Sequence, residues 1–244
     1  MLTNLYEYTL AILFPRRCPC CGETVAWNAY FCEQCRETLK PFPYPRLLKA
    51  PEGSDGATAA FIYTGAARQA VVAVKFRAIR YFSAFLADAM AAKAKEAFPD
   101  VKFDMLIPVP ISRRRRATRG YNQSEWLANG IARLLSIPKA YNLLMKVKDN
   151  NPQHRLTRKE RLVNVKGAYK VKYTGQLAGK TILLADDVLT TGSTVSECAK
   201  TLKTAGAKKV CVLCAAAART GEKTLIGLAK PKDKIEKYFP AAGK

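Results

Sequence analysis

Apolar residues in this chain fall into short runs with little alternation, separated by stretches with helical spacing. Strands are expected over Ala57–Gly65, Phe103–Pro110, Leu143–Val147, near Gly167–Val171, over Thr181–Ala185 and over Val210–Ala215. The runs at 103–110, 181–185 and 210–215 lack alternation, as strands covered on both faces do. Helices are expected over Ala66–Phe76, Phe82–Phe98 and Asn122–Ser136, the last with Trp126, Leu127, Ile131, Leu134 and Leu135 as one apolar stripe. A further helix carries Val195, Cys198, Ala199 and Leu202 on one face and stops at Gly206. At the start, Leu2, Leu5, Tyr6, Thr9, Leu10 and Leu13 form an amphipathic helix that Pro15 ends. Pro-rich 41–53 reads as a linker or boundary. Residues 148–165 carry many polar and basic side chains and no continuous apolar face, and Asn150, Asn151 and Pro152 mark a loop in the manner of a lid. There is no internal repeat and no run of about 18 apolar residues that would span a membrane.

Charge changes this picture. Lys and Arg number 41 against 19 acidic residues, a formal charge of +22. An anionic partner is favoured, either nucleic acid or a phosphorylated small molecule. Five guanidiniums, Arg113 to Arg116 and Arg119, follow the strand ending at Pro110. The carboxyl end of a buried strand is where α/β sheets bind ligands, and the planar guanidinium fork suits phosphate oxygens.

Cysteine usage adds a second site. Five of the eight cysteines lie between Cys18 and Cys35, in CPCCGETVAWNAYFCEQC. Cys18 with Cys21, and Cys32 with Cys35, each have CxxC spacing, and four thiolates complete a closed tetrahedral shell for a structural zinc ion. Cys20 lies outside that spacing. Trp27, Tyr30 and Phe31 are the expected small core of this hairpin. The cluster points to a reducing compartment, and a cytoplasmic location is expected. Cys198, Cys211 and Cys214 sit in apolar surroundings and read as buried small hydrophobes. His154 is the one histidine, without a nearby carboxylate, and is a poor base candidate.

The densest chemistry lies in Ile182–Thr194, ILLADDVLTTGST. A buried strand runs into Asp186 and Asp187, which can accept hydrogen bonds from two vicinal hydroxyls. Thr190, Thr191, Gly192, Ser193 and Thr194 then lead into a helix, offering backbone N–H groups, hydroxyls and a helix N-terminus to an anion. Diol and phosphate side by side describe a ribose 5-phosphate.

This stretch resembles the phosphoribosyl pyrophosphate motif of type I phosphoribosyltransferases. Together with the CxxC…CxxC head, IPVPISRRRRATRGYNQSEWLA and QHRLTRKERLVNVKGAY, residues 16–216 resemble the ComF family, the ComFC-type proteins linked to DNA uptake in natural competence. The resemblance implies a type I phosphoribosyltransferase-like parallel sheet flanked by helices over 46–244, a four-Cys zinc module over 16–45 and an N-terminal helix over 1–15. It implies that Asp186 and Asp187 bind the ribose hydroxyls and that Thr190–Thr194 cradle the 5-phosphate. Val109–Arg114, including Ser112, Arg113 and Arg114, matches a pyrophosphate loop assisted by Lys75, while Gln153, Arg158 and Arg161 match a lid. Relatives alternate basic and other residues before RGFN; here Arg116 precedes Ala117 and Tyr121 replaces Phe, leaving open which arginine faces pyrophosphate and which faces DNA. Magnesium with phosphoribosyl pyrophosphate, single-stranded DNA and a ComFA-type helicase are the implied cofactor and partners. Two other functions compete: a metabolic phosphoribosyltransferase acting on a base or amine, and a non-catalytic zinc-containing nucleic-acid adaptor.

Overall fold

The computed structural model describes residues 15–149, except 27 and 48, and residues 165–218. Strands β1 (Gly56–Ile62), β2 (Met105–Pro108), β5 (Thr181–Leu189) and β6 (Lys209–Ala217) form one sheet in the order β1-β6-β5-β2. Every pairing in it is parallel. β3 (Leu144–Lys146) and β4 (Tyr169–Val171) form a separate antiparallel pair. The helices are α1 (Glu33–Glu37), α2 (Gly65–Phe76), α3 (Tyr81–Ala97), α4 (Arg113–Arg119), α5 (Gln123–Leu135) and α6 (Ser193–Thr204).

The sheet is covered on both faces, which is why its strands are apolar without alternation. One face packs with α2, α3 and α5 in a cluster that includes Phe61, Phe82, Leu183 and Cys211. The other packs with α6 in a cluster that includes Ile182, Leu184, Cys198 and Cys214. Cys211 and Cys214 thus point to opposite faces of β6 and cannot pair, as expected of positions three apart on a strand.

Several boundaries differ from those expected, and the one at the acid pair matters most. β5 continues through Asp186 and Asp187 to Leu189, because β6 keeps pairing with it as far as Leu189 opposite Ala217. The arginine run, to which the sequence assigned no element, forms α4, whose first turn is capped by the Ser112 hydroxyl accepting from the Arg115 amide at 3.3 Å. Pro-rich 41–53 is not loose. Phe42 and Leu47 donate backbone hydrogen bonds to Ala60 and Ala57, so this stretch runs antiparallel along the free edge of β1 with both side chains buried. It thereby protects an edge that would otherwise offer unpaired backbone groups.

The cysteine head docks onto the main body rather than enclosing a core of its own. Tyr30 and Phe31 pack against Phe82 and Phe85 of α3, with ring centroids 5.0–6.0 Å apart, and Trp27 lies outside the described residues. A second tie joins the head to α2. The Thr38 hydroxyl accepts from the Ala66 amide at 2.9 Å. Gly65 permits this approach: its φ is +48°, and a Cβ there would sit 2.6 Å from the Thr38 carbonyl oxygen. Gly65→Ala is therefore expected to destabilise the protein by about 2 kcal/mol or more, through a strained φ and a backbone clash. Thermal denaturation of the variant measures this, and an unchanged melting temperature would refute it.

Candidate functional site

The site lies at the carboxyl ends of β5 and β2, over the N-terminus of α6. Asp186 and Asp187 are both buried, at 7% and 5% exposure. Their positions are fixed by the strand and by local bonds. Asp186 Oδ1 accepts from the Asp187 amide at 2.9 Å and from the Ser124 hydroxyl at 3.1 Å. Asp187 Oδ1 accepts from the Val188 amide at 2.7 Å, while its Oδ2 meets Lys75 Nζ at 2.7 Å and the Gln123 side-chain amide at 3.1 Å.

The charges respond to this crowding. Burial, and then the charge of Asp187, push the Asp186 carboxyl up to about 7. Burial alone would lower the Lys75 ammonium, yet Asp187 and Asp186 outweigh it and hold the group above its ordinary value. Lys146 is lowered by burial and by Arg115 beside it.

A cavity of about 150 Å³ opens beside the acids. Its wall holds Lys75, Val109, Asp186, Asp187 and all of Thr190–Thr194, so the structure brings these expected site residues together. α6 starts here at Gly192, in the left-handed conformation with φ +78°, and the Thr191 hydroxyl accepts from the Ser193 amide at 3.4 Å. The Thr191 and Ser193 hydroxyls are hydrogen-bonded to each other at 2.8 Å. Gly192 is required by its backbone angle rather than by space, since an added Cβ would meet Pro51 at an ordinary 3.7 Å.

The arginines divide by face. Arg115 and Arg119, four apart on α4, are half-buried and line the cavity, whereas Arg113, Arg114 and Arg116 are exposed. Arg113 and Ser112 belong to a neighbouring cavity beside Lys146, Ser112 with its hydroxyl engaged as the α4 cap, and Arg114 is not among the lining residues of either cavity. Of the arginines left open by the sequence, Arg115 and Arg119 share a cavity with the acids, because the run is helical and side chains four apart lie on one face. Gln153, Arg158, Arg161 and His154 lie outside the described residues.

Several site residues were missed in the sequence. Asn122, Gln123 and Ser124 are buried polar residues at the start of α5. Asn122 caps that helix through the Ser124 amide, and its side-chain amide donates to the Val109 carbonyl at 3.1 Å, holding the loop after β2. Gln123 links Arg119 to Asp187, accepting from the guanidinium at 2.8 Å. Three consecutive polar residues opening an amphipathic helix were the available signal. Lys146 and Tyr169 reach the cavity from the β3–β4 pair, which no local pattern announces. A larger open groove of about 780 Å³ between β4 and α6 shares only Tyr169 and Ser193 with this cavity.

The second cluster is the cysteine head. The Sγ atoms of Cys18, Cys21, Cys32 and Cys35 all lie within 4.8 Å of one another, and Cys21 and Cys32 are 3.6 Å apart. Thiolates about 2.3 Å from a tetrahedral zinc ion stand roughly 3.8 Å apart, so the donor set fits zinc and leaves no open position for catalysis. Cys20 is not part of the set.

Chemically, the first site offers two carboxylates to a diol, a helix start with its hydroxyls to a phosphate, and Lys75, Arg115, Arg119 and Lys146 to further negative charge. Parallel sheet, acid pair and helix-start loop, carried behind a four-cysteine module, define a phosphoribosyltransferase-type protein with an N-terminal zinc ribbon. Residues 122–241 match the phosphoribosyl transferase domain family, and residues 9–46 match the double zinc ribbon domain. The DNA utilization protein YhgH of Salmonella typhimurium is 30% identical over 200 residues, 81% of this chain and 82% of that protein. Competence protein ComFC of Bacillus subtilis is 27% identical over 186 residues, 76% of this chain and 70% of that one. Competence protein F of Haemophilus influenzae is 35% identical over 108 residues, 44% of this chain, and the match spans only 47% of that relative's length. The chain belongs to the ComF family of competence and DNA utilization proteins. Among the described residues no helix is long and apolar enough to cross a membrane.

Proposed function

We propose that this protein binds phosphoribosyl pyrophosphate and acts in the handling of incoming DNA, touching single strands through its basic surface. The observation that carries the ligand is the buried acid pair beside the hydroxyl-rich start of α6, faced by four cations around one small cavity. Asp186 and Asp187 accept the ribose 2- and 3-hydroxyls; the amides and hydroxyls of Thr190–Thr194 hold the 5-phosphate. Lys75, Arg115 and Arg119 neutralise pyrophosphate. Magnesium, if bound with this ligand, would supply charge neutralisation to the pyrophosphate, and Asp186 and Asp187 are the residues that would hold it. Gln153, Arg158 and Arg161 are proposed as lid residues on family resemblance.

The DNA role is supported by family membership, by the charge of +22 and by the exposed face of α4. A ComFA-type helicase is the expected partner on the same family ground, and a cytoplasmic site of action accords with four free thiols poised for zinc. Full transferase chemistry is a second reading, favoured by the acid pair and the cations Lys75, Arg115 and Arg119 around one cavity, which displacement at the ribose C1 would use. A pyrophosphate-release assay, with bases, amines and single-stranded DNA offered as acceptors, tests it.

Calorimetric titration of the full chain with phosphoribosyl pyrophosphate and magnesium tests the primary reading; absence of heat and of competition by ribose 5-phosphate sinks it. Single-strand affinity should fall about 10²-fold or more between roughly 50 and 200 mM salt, because neutralised phosphates release counterions. Flat salt dependence, or no binding at low salt, removes the DNA contact.

A further inference from the structure

Phe76, the last residue of α2, is 65% exposed, the most of any large hydrophobic side chain among the described residues. It does not stand on an indifferent surface. The Arg119 guanidinium lies 5.4 Å from its ring centroid and the Lys75 ammonium 6.0 Å from it. Both cations also line the acid-pair cavity. Phe76 therefore stands beside that cavity, with two of the cavity's cations near its ring and most of its side chain open to solvent.

The ring is held there. The Tyr121 hydroxyl lies 3.0 Å from the Val74 carbonyl and 3.1 Å from that of Lys75, tying down the end of α2. Tyr121 is itself stacked on Trp126, with centroids 4.1 Å apart. Beyond Phe76 the helix closes sharply: the amides of Arg77 and Ile79 both donate to the Ala73 carbonyl, and Ala78 takes a left-handed φ of +55° in a position that glycine usually fills. That turn is followed by exposed Arg80, whose guanidinium lies 5.1 Å from the Trp126 ring. An anchored aromatic ring, cations at its rim and exposed arginines just past it are the parts that bind a flat π-system attached to phosphate.

We infer that Phe76 is a stacking platform for a nucleobase held beside the ribosyl-phosphate site. This rests on the reading of that site given above and names the class of its second ligand. A protonated amine is drawn to an aromatic face, but Lys75 and Arg119 already stand beside this ring and repel a further cation. A nucleobase gains from both, since every base has a π-face and accepting edges. The base comes either free or within a single strand, whose phosphates then meet Arg77 and Arg80.

The test uses the full chain as wild type, Phe76→Leu and Phe76→Trp. Binding of a short oligothymidylate and of an abasic strand of equal length is followed by fluorescence anisotropy, with free nucleobases as competitors. Binding of phosphoribosyl pyrophosphate is measured in parallel by calorimetry. The wild type should prefer the base-bearing ligand by about tenfold or more. Phe76→Leu should lose that preference, Phe76→Trp should keep it, and ribosyl-ligand binding should be unaltered in both. Competition by free bases identifies a free base as the ligand; preference for the intact strand without such competition identifies a base within the strand. An equal preference in wild type and Phe76→Leu overturns the platform, as does a wild type that binds intact and abasic strands alike and no free base. Failure of the wild type to bind phosphoribosyl pyrophosphate, with the Phe76-dependent base preference intact, overturns the ribosyl reading and leaves the platform standing.

Discussion

Asp186→Asn combined with Asp187→Asn should weaken magnesium-dependent binding of phosphoribosyl pyrophosphate by at least about 100-fold. Each carboxylate is proposed to accept from one ribose hydroxyl, and a hydrogen bond to a charged group is worth roughly 1.5–3 kcal/mol. Asparagine keeps the shape and one acceptor oxygen, so Ser124 and the Asp187 and Val188 amides retain partners. Lys75 and Gln123 lose the charged Oδ2 acceptor of Asp187, so thermal melting of the variant accompanies the binding measurement. Calorimetry on the folded variant decides the matter, and undiminished binding would end the assignment.

The same acids give the binding a pH signature. Asp186 titrates near 7 in the folded chain and near 3.8 when unfolded. The folded state thus holds a proton that the unfolded state releases, and stability falls as pH rises from about 4 to about 7, then levels off. Asp186→Asn removes this cost, on the order of a few kcal/mol, and should melt higher than wild type at pH 8 while binding worse. Ligand affinity of the wild type should rise with pH up to about 7, as the carboxylate becomes ionised. A variant that melts no higher at pH 8 would contradict the buried, proton-holding state of Asp186.

Loss of zinc should have the second large effect. The head has no core of its own among the described residues: Cys18, Phe31 and Leu39 belong to the same buried cluster as Phe82 and Phe85. Cys32→Ser opens the thiolate shell, and without metal the ribbon lacks the binding energy that folds such modules. Undocking Phe31 resembles its deletion from the core, at about 3–5 kcal/mol, or a fall in melting temperature of roughly 10 °C for a chain this long. Exposed Phe82 and Phe85 should then bind a hydrophobic dye. Because Thr38 joins the head to the start of α2, and Lys75 lies in the last turn of that helix, zinc loss should also loosen the Lys75–Asp187 contact. Metal analysis with calorimetric melting, with and without a chelator, measures this; zinc-free protein with unchanged melting would refute the site.

The amino-acid sequence determined the local parts of this protein. Strand and helix types follow from apolar runs and 3.6-residue spacing, and these depend on neighbours along the chain. The Asp186–Thr194 unit was legible for the same reason, since one strand, one loop and one helix start hold all its groups. So was the four-thiolate shell, because CxxC spacing sets two ligands within a few bonds. Tertiary structure decided what comes from afar. Lys75 reaches Asp187 across 112 positions because α2 and β5 end at one edge of the sheet. Helical phase puts Arg115 and Arg119, rather than Arg113 and Arg114, in the wall of the acid-pair cavity, and that phase is set by how α4 lies over the cavity. Asn122, Gln123 and Ser124 read as an ordinary helix start until packing buried them against the acids. Tyr30 and Phe31 looked like a private core for the zinc head; the larger apolar surface of α3 took them instead, since burial against many side chains outweighs burial against few.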